Sequence, residues 1–251
     1  MQNKSFENAI TVTNLNFRYP AQVSDGITNI NLKVSVGDRF GLFGPNGAGK
    51  TTLISIMTGL LKPSSGSIKL LGMDATANRE AKKMFGYVPQ DFAFYEELTP
   101  VENLEFFGAL SRLSSLEIKR RGDELFSVLG LTEVRNKPAK QFSGGMKRRL
   151  NIAIGVIHEP PIIFLDEPTV GVDVQTRSAI IDYLKQLNKQ GATLIYTSHL
   201  LQEAQDLCNH IALMDNGKII LDDDLEKLLA AHNQTGLEQL FLNLTGKAFR
   251  D

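Results

Sequence analysis

The sequence reads Gly44-Pro45-Asn46-Gly47-Ala48-Gly49-Lys50-Thr51 directly after a short apolar run, residues 39–43. This octapeptide matches the pattern Gly-x-x-x-x-Gly-Lys-Ser/Thr, whose glycines let the backbone curl closely around phosphate oxygens. Its exposed N–H groups, together with the positive end of a following helix, favour an anion. We expect the Lys50 ammonium to reach the β- and γ-phosphates, the Thr51 hydroxyl to bind Mg²⁺ and the next residue, Thr52, to add a phosphate contact. The octapeptide predicts a nucleoside triphosphate site, although kinases, GTPases and motor ATPases share it.

The residues around this loop predict an α/β fold. Residues 39–43 and 50–57 supply the strand and the helix that the loop requires on either side. Apolar and polar residues alternate over 15–19 and 30–34, which predicts further strands near the N-terminus. Later in the chain the patterns predict strands at 162–165 and 193–197, helices at 176–188 and 200–207, and a hairpin turn at Asp215-Asn216-Gly217. Because strands alternate with helices, we expect a largely parallel sheet.

The middle of the chain, about residues 91–158, is predicted to be a helical subdomain. Thr99-Pro100 has the form of an N-cap followed by proline at the first helical position. Further helices are expected at 115–129 and from about Gly144. The segment after Gln90, residues 91–95, is unusually aromatic for a loop, and aromatic residues are favoured at interfaces. It is either part of a docking surface or packed within the helical subdomain.

Two carboxylates follow the apolar run at 162–165. Asp166 is suited to the Mg²⁺ shell, as aspartates at the end of such strands are in other nucleotide hydrolases. Glu167 is suited to a general base that takes a proton from the attacking water. The order of strand, Asp and Glu therefore predicts hydrolysis of the bound triphosphate.

A third motif lies between these two and carries a family resemblance. The segment Gln141-Phe142-Ser143-Gly144-Gly145-Met146 resembles the signature of ABC ATPases, which reads roughly Leu-Ser-Gly-Gly-Gln. Phe142 and Met146 depart from the commonest form, but a Ser hydroxyl and Gly N–H groups at a helix start still make an anion site. The resemblance extends over nearly the whole chain.

The resemblance implies roles for further residues. Gln90 is similar to the glutamine that senses the metal and the γ-phosphate, and His199 to the switch histidine beside that phosphate. Tyr19 resembles the aromatic residue that stacks on adenine, although it could instead be a strand residue packed in the core. Residues 170–173 occupy the loop that crosses to a partner subunit. The implied catalytic residues are Lys50, Gln90, Glu167 and His199, the implied metal ligands Thr51, Gln90 and Asp166, and the implied second half-site Ser143, Gly144 and Gly145.

The resemblance also implies an architecture. We expect a P-loop NTPase core with a mostly parallel sheet, an N-terminal antiparallel β subdomain and an inserted helical subdomain. The core with its β subdomain would span about 1–90 and 159–222, the helical subdomain about 91–158 and a C-terminal helical tail about 223–251, all within one ABC ATPase domain. Residues 143–150, 171–173 and the tail segment 242–247 are similar to the exporter branch that includes drug and antibiotic exporters.

Composition restricts the possible partners. The 251 residues carry a net charge of −1, which gives no bulk field to attract nucleic acid or an anionic membrane. Cys208 is the single cysteine, and we expect a buried structural thiol. No apolar run approaches the roughly 20 residues that span a bilayer, and the N-terminus shows no signal peptide. We therefore expect a cytoplasmic chain that reaches the inner face of the plasma membrane only through permease subunits.

These observations predict an ATP-hydrolysing subunit of a membrane transporter, and the branch resemblance implies an exporter, with ATP and Mg²⁺ as its cofactors. ATP would lie between two subunits arranged head to tail, in a homodimer or a heterodimer, so that ATP closes the dimer and hydrolysis reopens it. The alternative is a non-catalytic, nucleotide-dependent regulatory or assembly module of the same superfamily. Such a module would be expected to lack Glu167 or His199, and both are present.

Overall fold

The computed structural model describes residues 6–20, 26–232, 236–237 and 240. Its strands are β1 (Asn8–Phe17), β2 (Ile27–Ser35), β3 (Arg39–Phe43), β4 (Ser65–Leu70), β5 (Met73–Asp74), β6 (Phe85–Val88), β7 (Ile162–Asp166), β8 (Thr193–Thr197), β9 (His210–Asp215) and β10 (Lys218–Asp224). Its α-helices are α1 (Lys50–Met57), α2 (Pro100–Leu110), α3 (Ser115–Val128), α4 (Gly144–Val156), α5 (Val174–Lys189), α6 (Leu201–Leu207) and α7 (Leu225–Ala231). Short 3-10 turns lie at Arg79–Lys83, Thr132–Val134 and Ala139–Gln141.

Two sheets form the β structure. The larger has the order β10-β9-β3-β8-β7-β6, and only its β10–β9 pair is antiparallel. The smaller has the order β2-β1-β4-β5 and is antiparallel throughout. One hydrophobic cluster contains residues of both sheets and of α1, so this helix is buried between them. The predicted α/β fold, with its parallel core and N-terminal antiparallel sheet, is confirmed.

The parallel strands run in the direction that brings the chemistry to one edge. β3 leads into the phosphate loop, β7 ends at Asp166, and β8 ends two residues before His199. These three strands are neighbours in the order β3-β8-β7. Because the carboxyl ends of parallel strands meet at one edge of a sheet, the three motifs converge there. All five residues of β7 and all five of β8 are buried, which fixes this edge in the core.

The helices α2, α3 and α4 contact one another and form the middle of the chain. Thr99 and Ser114 each begin a helix with a reciprocal capping box, in which Glu102 and Glu117 bond back to the cap. Ser143 caps α4 at Gly144, as the sequence indicates. Gly155 of α4 lies so close to Gly86 of β6 that a side chain at Gly86 would collide with the Gly155 carbonyl oxygen. Close packing of this helix against the sheet edge depends on that pair of glycines.

The structure differs from the sequence-based expectations in several elements, three of which bear on the site or on the proposed domain limits. The first strand ends at Phe17 and does not include Tyr19. β6 was not expected as a strand. The helical tail expected from about 223 begins only at Leu225, because β10 continues through Asp224, whose carboxylate caps α7. Most of that tail, including 242–247, lies outside the described residues. Within the described part of the chain, no helix combines the length and the apolar character needed to cross a membrane.

Candidate functional site

The phosphate loop connects β3 to α1 and is held in its curled form by its own lysine. The Lys50 ammonium donates to the carbonyl oxygens of Gly44 at 2.8 Å and Pro45 at 3.3 Å. Gly44 has a φ of +154°, and a side chain there would collide with the Met214 carbonyl. Lys50 is only 6% exposed, and burial lowers its pKa. The loop thus presents a largely desolvated cation at the start of a helix, where an anion is favoured.

Asp166 is anchored at the end of β7 by two threonines. The Thr197 hydroxyl donates to Asp166 Oδ1 at 2.7 Å, and the Thr51 hydroxyl reaches the same oxygen at 3.4 Å. The second carboxylate oxygen, Oδ2, is buried and has no hydrogen-bond partner within the described part of the chain. Burial raises the pKa of Asp166. A buried carboxylate oxygen left without a donor is what a cation site requires.

The Thr51–Asp166 pair fits Mg²⁺ in particular. This ion takes oxygen ligands and is usually held by one or two carboxylates together with substrate phosphates, rather than by a full protein cage. Among the described residues, no group of three or more His, Cys, Asp or Glu side chains is placed to hold a metal ion. The third proposed ligand, Gln90, lies in the same cleft as Thr51.

Glu167 is held in an unusual backbone conformation. Its φ is +48°, in the left-handed region that costs free energy for a residue with a side chain, and such conformations cluster at functional sites. Its N–H donates to the Thr197 hydroxyl at 3.0 Å. Glu167 is 8% exposed. Its Oε2 atom lies 3.4 Å from Gln90 Nε2 and 3.3 Å from His199 Nδ1. Two predicted catalytic side chains, Gln90 and His199, therefore both contact Glu167.

Most of these groups line one cleft of about 920 Å³, whereas Asp166 is buried beneath it and is not among the lining residues. Its walls include residues 46–52 of the phosphate loop, Gln90, Glu167, His199 and Tyr19. Gly44 and Pro45 lie behind this surface, where their carbonyls hold Lys50. The Tyr19 hydroxyl is 3.0 Å from the Thr52 hydroxyl, and the Tyr19 ring meets Phe17 edge-on at 4.8 Å. Tyr19 is thus half-buried, packed on one side and open to the cleft on the other.

The signature residues Ser143, Gly144 and Gly145 lie outside this cleft. Ser143 and Gly144 are exposed, and the Ser143 hydroxyl caps α4 by accepting from the Met146 N–H at 3.3 Å. Gly145 faces Thr176 of α5. One copy of the chain therefore does not bring its own signature residues to its own phosphate loop.

The loop that contains Gln90 is tied to α4. The buried Arg148 donates to the Gln90 carbonyl at 2.7 Å, and Asn151 donates to the Pro89 carbonyl at 3.0 Å. The Arg148 guanidinium also lies over the Phe92 ring, 4.9 Å from its centroid. Two side chains of the helix that follows the signature thus fix the backbone on both sides of this glutamine.

Sequence reasoning missed several residues of the site. Thr197 bonds to both Asp166 and the Glu167 backbone, and Gly26, Thr28 and residues 216–218 line the cleft near Tyr19. The sequence predicts a hairpin turn at Asp215-Asn216-Gly217 but does not predict that the turn lines the cleft. Gly217 donates to the Ala48 carbonyl at 2.9 Å, which brings the hairpin beside the phosphate loop. The order of the strands, which places β9 beside β3, is the only signal that could have found it.

Comparisons with known proteins agree with this geometry. The profile of the ABC transporter family matches residues 27–170. Linearmycin resistance ATP-binding protein LnrL of Bacillus subtilis is 44% identical over 195 residues, which cover 77% of this chain and 63% of LnrL. Daunorubicin resistance ATP-binding protein DrrA3 of Streptomyces coeruleorubidus is 37% identical over 225 residues, which cover 89% of this chain and 71% of DrrA3.

A solved structure shares the fold. The dimeric, post-hydrolysis ATP-binding cassette MJ0796 bound to ADP and Pi has a TM-score of 0.79 and 27% identity, and the match covers 86% of this chain and 98% of that one. Since the family profile covers more than half of the sequence and DrrA3 matches over most of both chains, the chain belongs to the ABC transporter family and resembles its ATP-binding subunits.

Proposed function

We propose that this chain hydrolyses ATP and powers an exporter, and that Glu167 is the general base of the reaction. The main support for the proposal is that Gln90 and His199 both contact the Glu167 carboxylate. These side chains line the same cleft as the phosphate loop. Three separate segments of the chain supply these side chains. A non-catalytic nucleotide binder has no need for this convergence.

Each residue has a defined role in the proposed reaction. Lys50 and the N–H groups of the phosphate loop bind the triphosphate, and Tyr19 stacks on the adenine. Gln90 and His199 both approach Oε2 of Glu167, so Oε1 is the oxygen available to accept a proton from the attacking water. Mg²⁺, held by Thr51, Gln90 and Asp166, would neutralise charge on the phosphate oxygens. His199, which lines the same cleft as the phosphate loop, would contact the γ-phosphate.

The signature residues complete the site in a dimer. Ser143 and Gly144 are exposed and lie away from the cleft of their own chain, so a second subunit arranged head to tail would bring its Ser143, Gly144 and Gly145 to the phosphate. A ligand shifts an equilibrium only by binding one state better than another. ATP does so here because it contacts both subunits only when they are closed. We propose a homodimer, since this chain contains both half-sites.

The membrane partner is proposed to dock on an aromatic patch formed by Phe92, Tyr95 and Phe106. Each of these rings is 37–50% exposed, and Tyr95 meets Phe106 edge-on at 5.0 Å. Phe94, in the same segment, is only partly exposed and packs against the core. Phe94 therefore packs within the protein, while Phe92 and Tyr95 face solvent and are available for docking.

The names of two relatives support the proposed direction of transport. LnrL and DrrA3 are named for resistance to linearmycin and daunorubicin, which supports export of a toxic small molecule. The chain would be a cytoplasmic subunit on the inner face of the plasma membrane, held there by permease subunits and without nucleic acid. We also propose that the core ends at about residue 90, resumes after a helical subdomain at about residue 158, and gives way to the C-terminal tail at about residue 222.

The test replaces Glu167 with Gln. We expect ATP affinity to stay within about threefold of wild type, while phosphate release falls about 10²–10⁴-fold because the base is lost. Binding is measured by fluorescent-nucleotide titration and turnover by released phosphate, with the permease present if the isolated chain is slow. Glu226→Gln, an exposed position on α7, is the matched control and should behave as wild type. Equal phosphate release by wild type and Glu167→Gln would favour the non-catalytic alternative.

A further inference from the structure

A buried carboxylate outside the cleft joins the two loops that contain catalytic residues. Glu203 of α6 is 3% exposed, and three hydroxyl groups donate to its Oε2 atom. The donors are Tyr196 at 2.6 Å, Thr169 at 2.7 Å and Ser198 at 2.9 Å. None of these four residues lines the nucleotide cleft, and none has a role in the reaction described above.

The three donors come from the two segments that hold Glu167 and His199. Thr169 lies two residues after Glu167, and Ser198 lies directly before His199. Tyr196 is a fully buried residue of β8, the strand that leads into Ser198. Glu203 therefore connects the loop after β7 to the loop after β8 from behind. On the cleft side, the same two loops meet through the 3.3 Å contact between Glu167 and His199.

The bonds of Ser198 extend this connection around His199. Its hydroxyl donates to Glu203 and accepts from the Leu200 N–H at 2.9 Å. The Glu203 N–H donates to the Leu200 carbonyl at 3.1 Å. The residues on both sides of His199 are thereby fixed to the first turn of α6. Rotation of the His199 backbone would require breaking one of these bonds.

The network needs a charged group. Each hydroxyl has one proton to donate, and a carboxylate oxygen can accept from all three, whereas an amide oxygen is a weaker acceptor and the amide NH₂ cannot accept. Arg177 of α5 places its Nε 3.0 Å from Glu203 Oε1 and supplies the opposite charge, although the two atoms are not aligned for a hydrogen bond. Burying a carboxylate is costly unless it is paired and hydrogen-bonded, so an apolar residue here would satisfy the core at lower cost. The three hydrogen bonds to Glu203 fix the relative positions of the segments that supply the donors.

We propose that Glu203 is a positioning residue for hydrolysis, which holds His199 and the residues after Glu167 in one fixed relation. The inference rests on the proposed function, because the geometry that it protects is that of the proposed base and of His199. Glu203 acts from behind the site and does not contact nucleotide. Its loss should therefore impair the chemical step and leave ATP binding to the phosphate loop and Tyr19.

The experiment compares Glu203→Gln with wild type in phosphate release and nucleotide binding. We expect kcat per active site to fall about 10- to 100-fold, the size of effect that a misplacement of about 1 Å produces, with KM for ATP within about threefold. Ser198→Ala and Thr169→Val should each give a smaller loss of kcat, and Glu203→Asp, which keeps the charge, should recover part of it. Tyr183→Phe, which removes another buried hydroxyl from α5, is the control and should leave kcat unchanged.

Two further measurements separate positioning from loss of structure. Active sites are counted by tight nucleotide binding, so a reduced folded fraction does not appear as a reduced kcat. Hydrogen exchange of the unliganded chain should be faster in Glu203→Gln at residues 169–173 and 198–200, and unchanged in α1. Wild-type kcat per site, or unchanged exchange in both loops, would overturn the inference. If wild type and Glu167→Gln release phosphate equally, the proposed function fails, and the exchange result still decides whether Glu203 holds the loops.

Discussion

At the scale of single residues, Asp166 and Glu167 are adjacent carboxylates in different environments. Asp166 is 1% exposed and has one oxygen without a donor, whereas both Gln90 and His199 approach Glu167. Burial raises the pKa of Asp166, so its ionised form is disfavoured in the folded chain. At neutral pH the fold carries this cost, which a cation beside Oδ2 would remove. Asp166 therefore lowers the stability of the empty protein at a position that we propose binds Mg²⁺.

This cost predicts that Asp166→Asn is more stable than wild type without nucleotide or metal. The Asn oxygen can still accept from Thr197 and Thr51, while the charge is gone. We expect Tm to rise by about 2–4 °C at pH 7, the shift that 1 kcal/mol gives for a chain of this size. Phosphate release should be lost in the same variant. Tm is measured by differential scanning fluorimetry from pH 4 to 8.

The pH dependence has a definite sign. The pKa of Asp166 is higher in the folded than in the unfolded state. The ionised carboxylate therefore does not lower the stability of the fold below the unfolded pKa of about 3.9. Stability falls as pH rises from that value to the folded pKa, and the full loss is present above it. The Tm advantage of Asp166→Asn should therefore shrink toward zero in acid. Asp182→Asn, at an exposed position of α5, is the control and should show no advantage at any pH. A variant less stable than wild type at pH 7 would contradict the inference that burial of the Asp166 charge costs more than its hydrogen bonds and the nearby Lys50 return.

At the scale of elements, Asn103 of α2 organises the segment that carries the aromatic patch. Its side chain is fully buried; Oδ1 accepts from the Tyr95 N–H, and Nδ2 donates to the carbonyls of Tyr95 and Thr99 at 3.0 and 3.1 Å. Asn151 of α4 accepts from the Ala93 N–H at 3.3 Å. Two helices thus supply the hydrogen bonds that this irregular segment cannot make by itself. The exposed rings of the patch are therefore held on an ordered backbone.

Replacing Asn103 with Ala should destabilise the fold by about 1–3 kcal/mol, because buried backbone groups lose their partners. Amide exchange at Tyr95 should become faster, whereas the affinity for ATP should not change, since α2 does not line the cleft. Urea unfolding and exchange mass spectrometry measure the two effects. Asn136→Ala, at an exposed position after the turn at Thr132–Val134, should change stability by less than about 0.5 kcal/mol. Unchanged exchange at Tyr95 would show that the segment is ordered by other contacts.

The elements also show which parts of the fold could be predicted. The bounds of β3, α1 and β8 agree with the sequence, because each has a clear periodicity and ends at a loop or turn. β6 escaped prediction because Phe85-Gly86-Tyr87-Val88 is short and contains a glycine that weakens a strand pattern. That glycine is explained only by the approach of Gly155, which is distant in sequence. Local signals therefore gave the elements, and long-range packing explains the exception.

The same division applies to the candidate site. The phosphate loop, the Asp-Glu pair and the Ser-Gly-Gly turn are contiguous, so spacing alone identifies them. Glu203 lies in the polar stretch Leu-Gln-Glu-Ala-Gln-Asp at 201–206, which reads as an exposed helix face. Its burial depends on contacts with β8 and with the loop after β7, which are set by the strand order. No local pattern could distinguish this carboxylate from a solvated one.

At the scale of the whole molecule, the exposed position of Ser143 predicts a change of oligomeric state. With ATP and Mg²⁺, Glu167→Gln should accumulate as a dimer, because ATP joins the two subunits and is not hydrolysed. Adding Ser143→Glu should leave it monomeric, since the new carboxylate would face the phosphates of the partner's nucleotide and repel them. Size-exclusion chromatography with light scattering distinguishes these masses.

Two comparisons make the dimer test specific. Ser127→Glu, an exposed serine on α3, should not prevent the dimer in the same background. The Ser143→Glu variant should still bind ATP through its own phosphate loop. A dimer that persists in Glu167→Gln with Ser143→Glu would exclude the head-to-tail arrangement and leave only the single-chain site.

Cys208 has a practical consequence for experiments that follow the proposed closure of the dimer. It is the single cysteine of the sequence, it is 4% exposed, and burial raises the pKa of its thiol, so the reactive thiolate is scarce at neutral pH. Thiol-directed dyes and spin labels should therefore leave the native chain unmodified. A cysteine introduced at Ser143 or Tyr95 would be the one labelled position, and its spectroscopic signal would come from a protein otherwise unchanged.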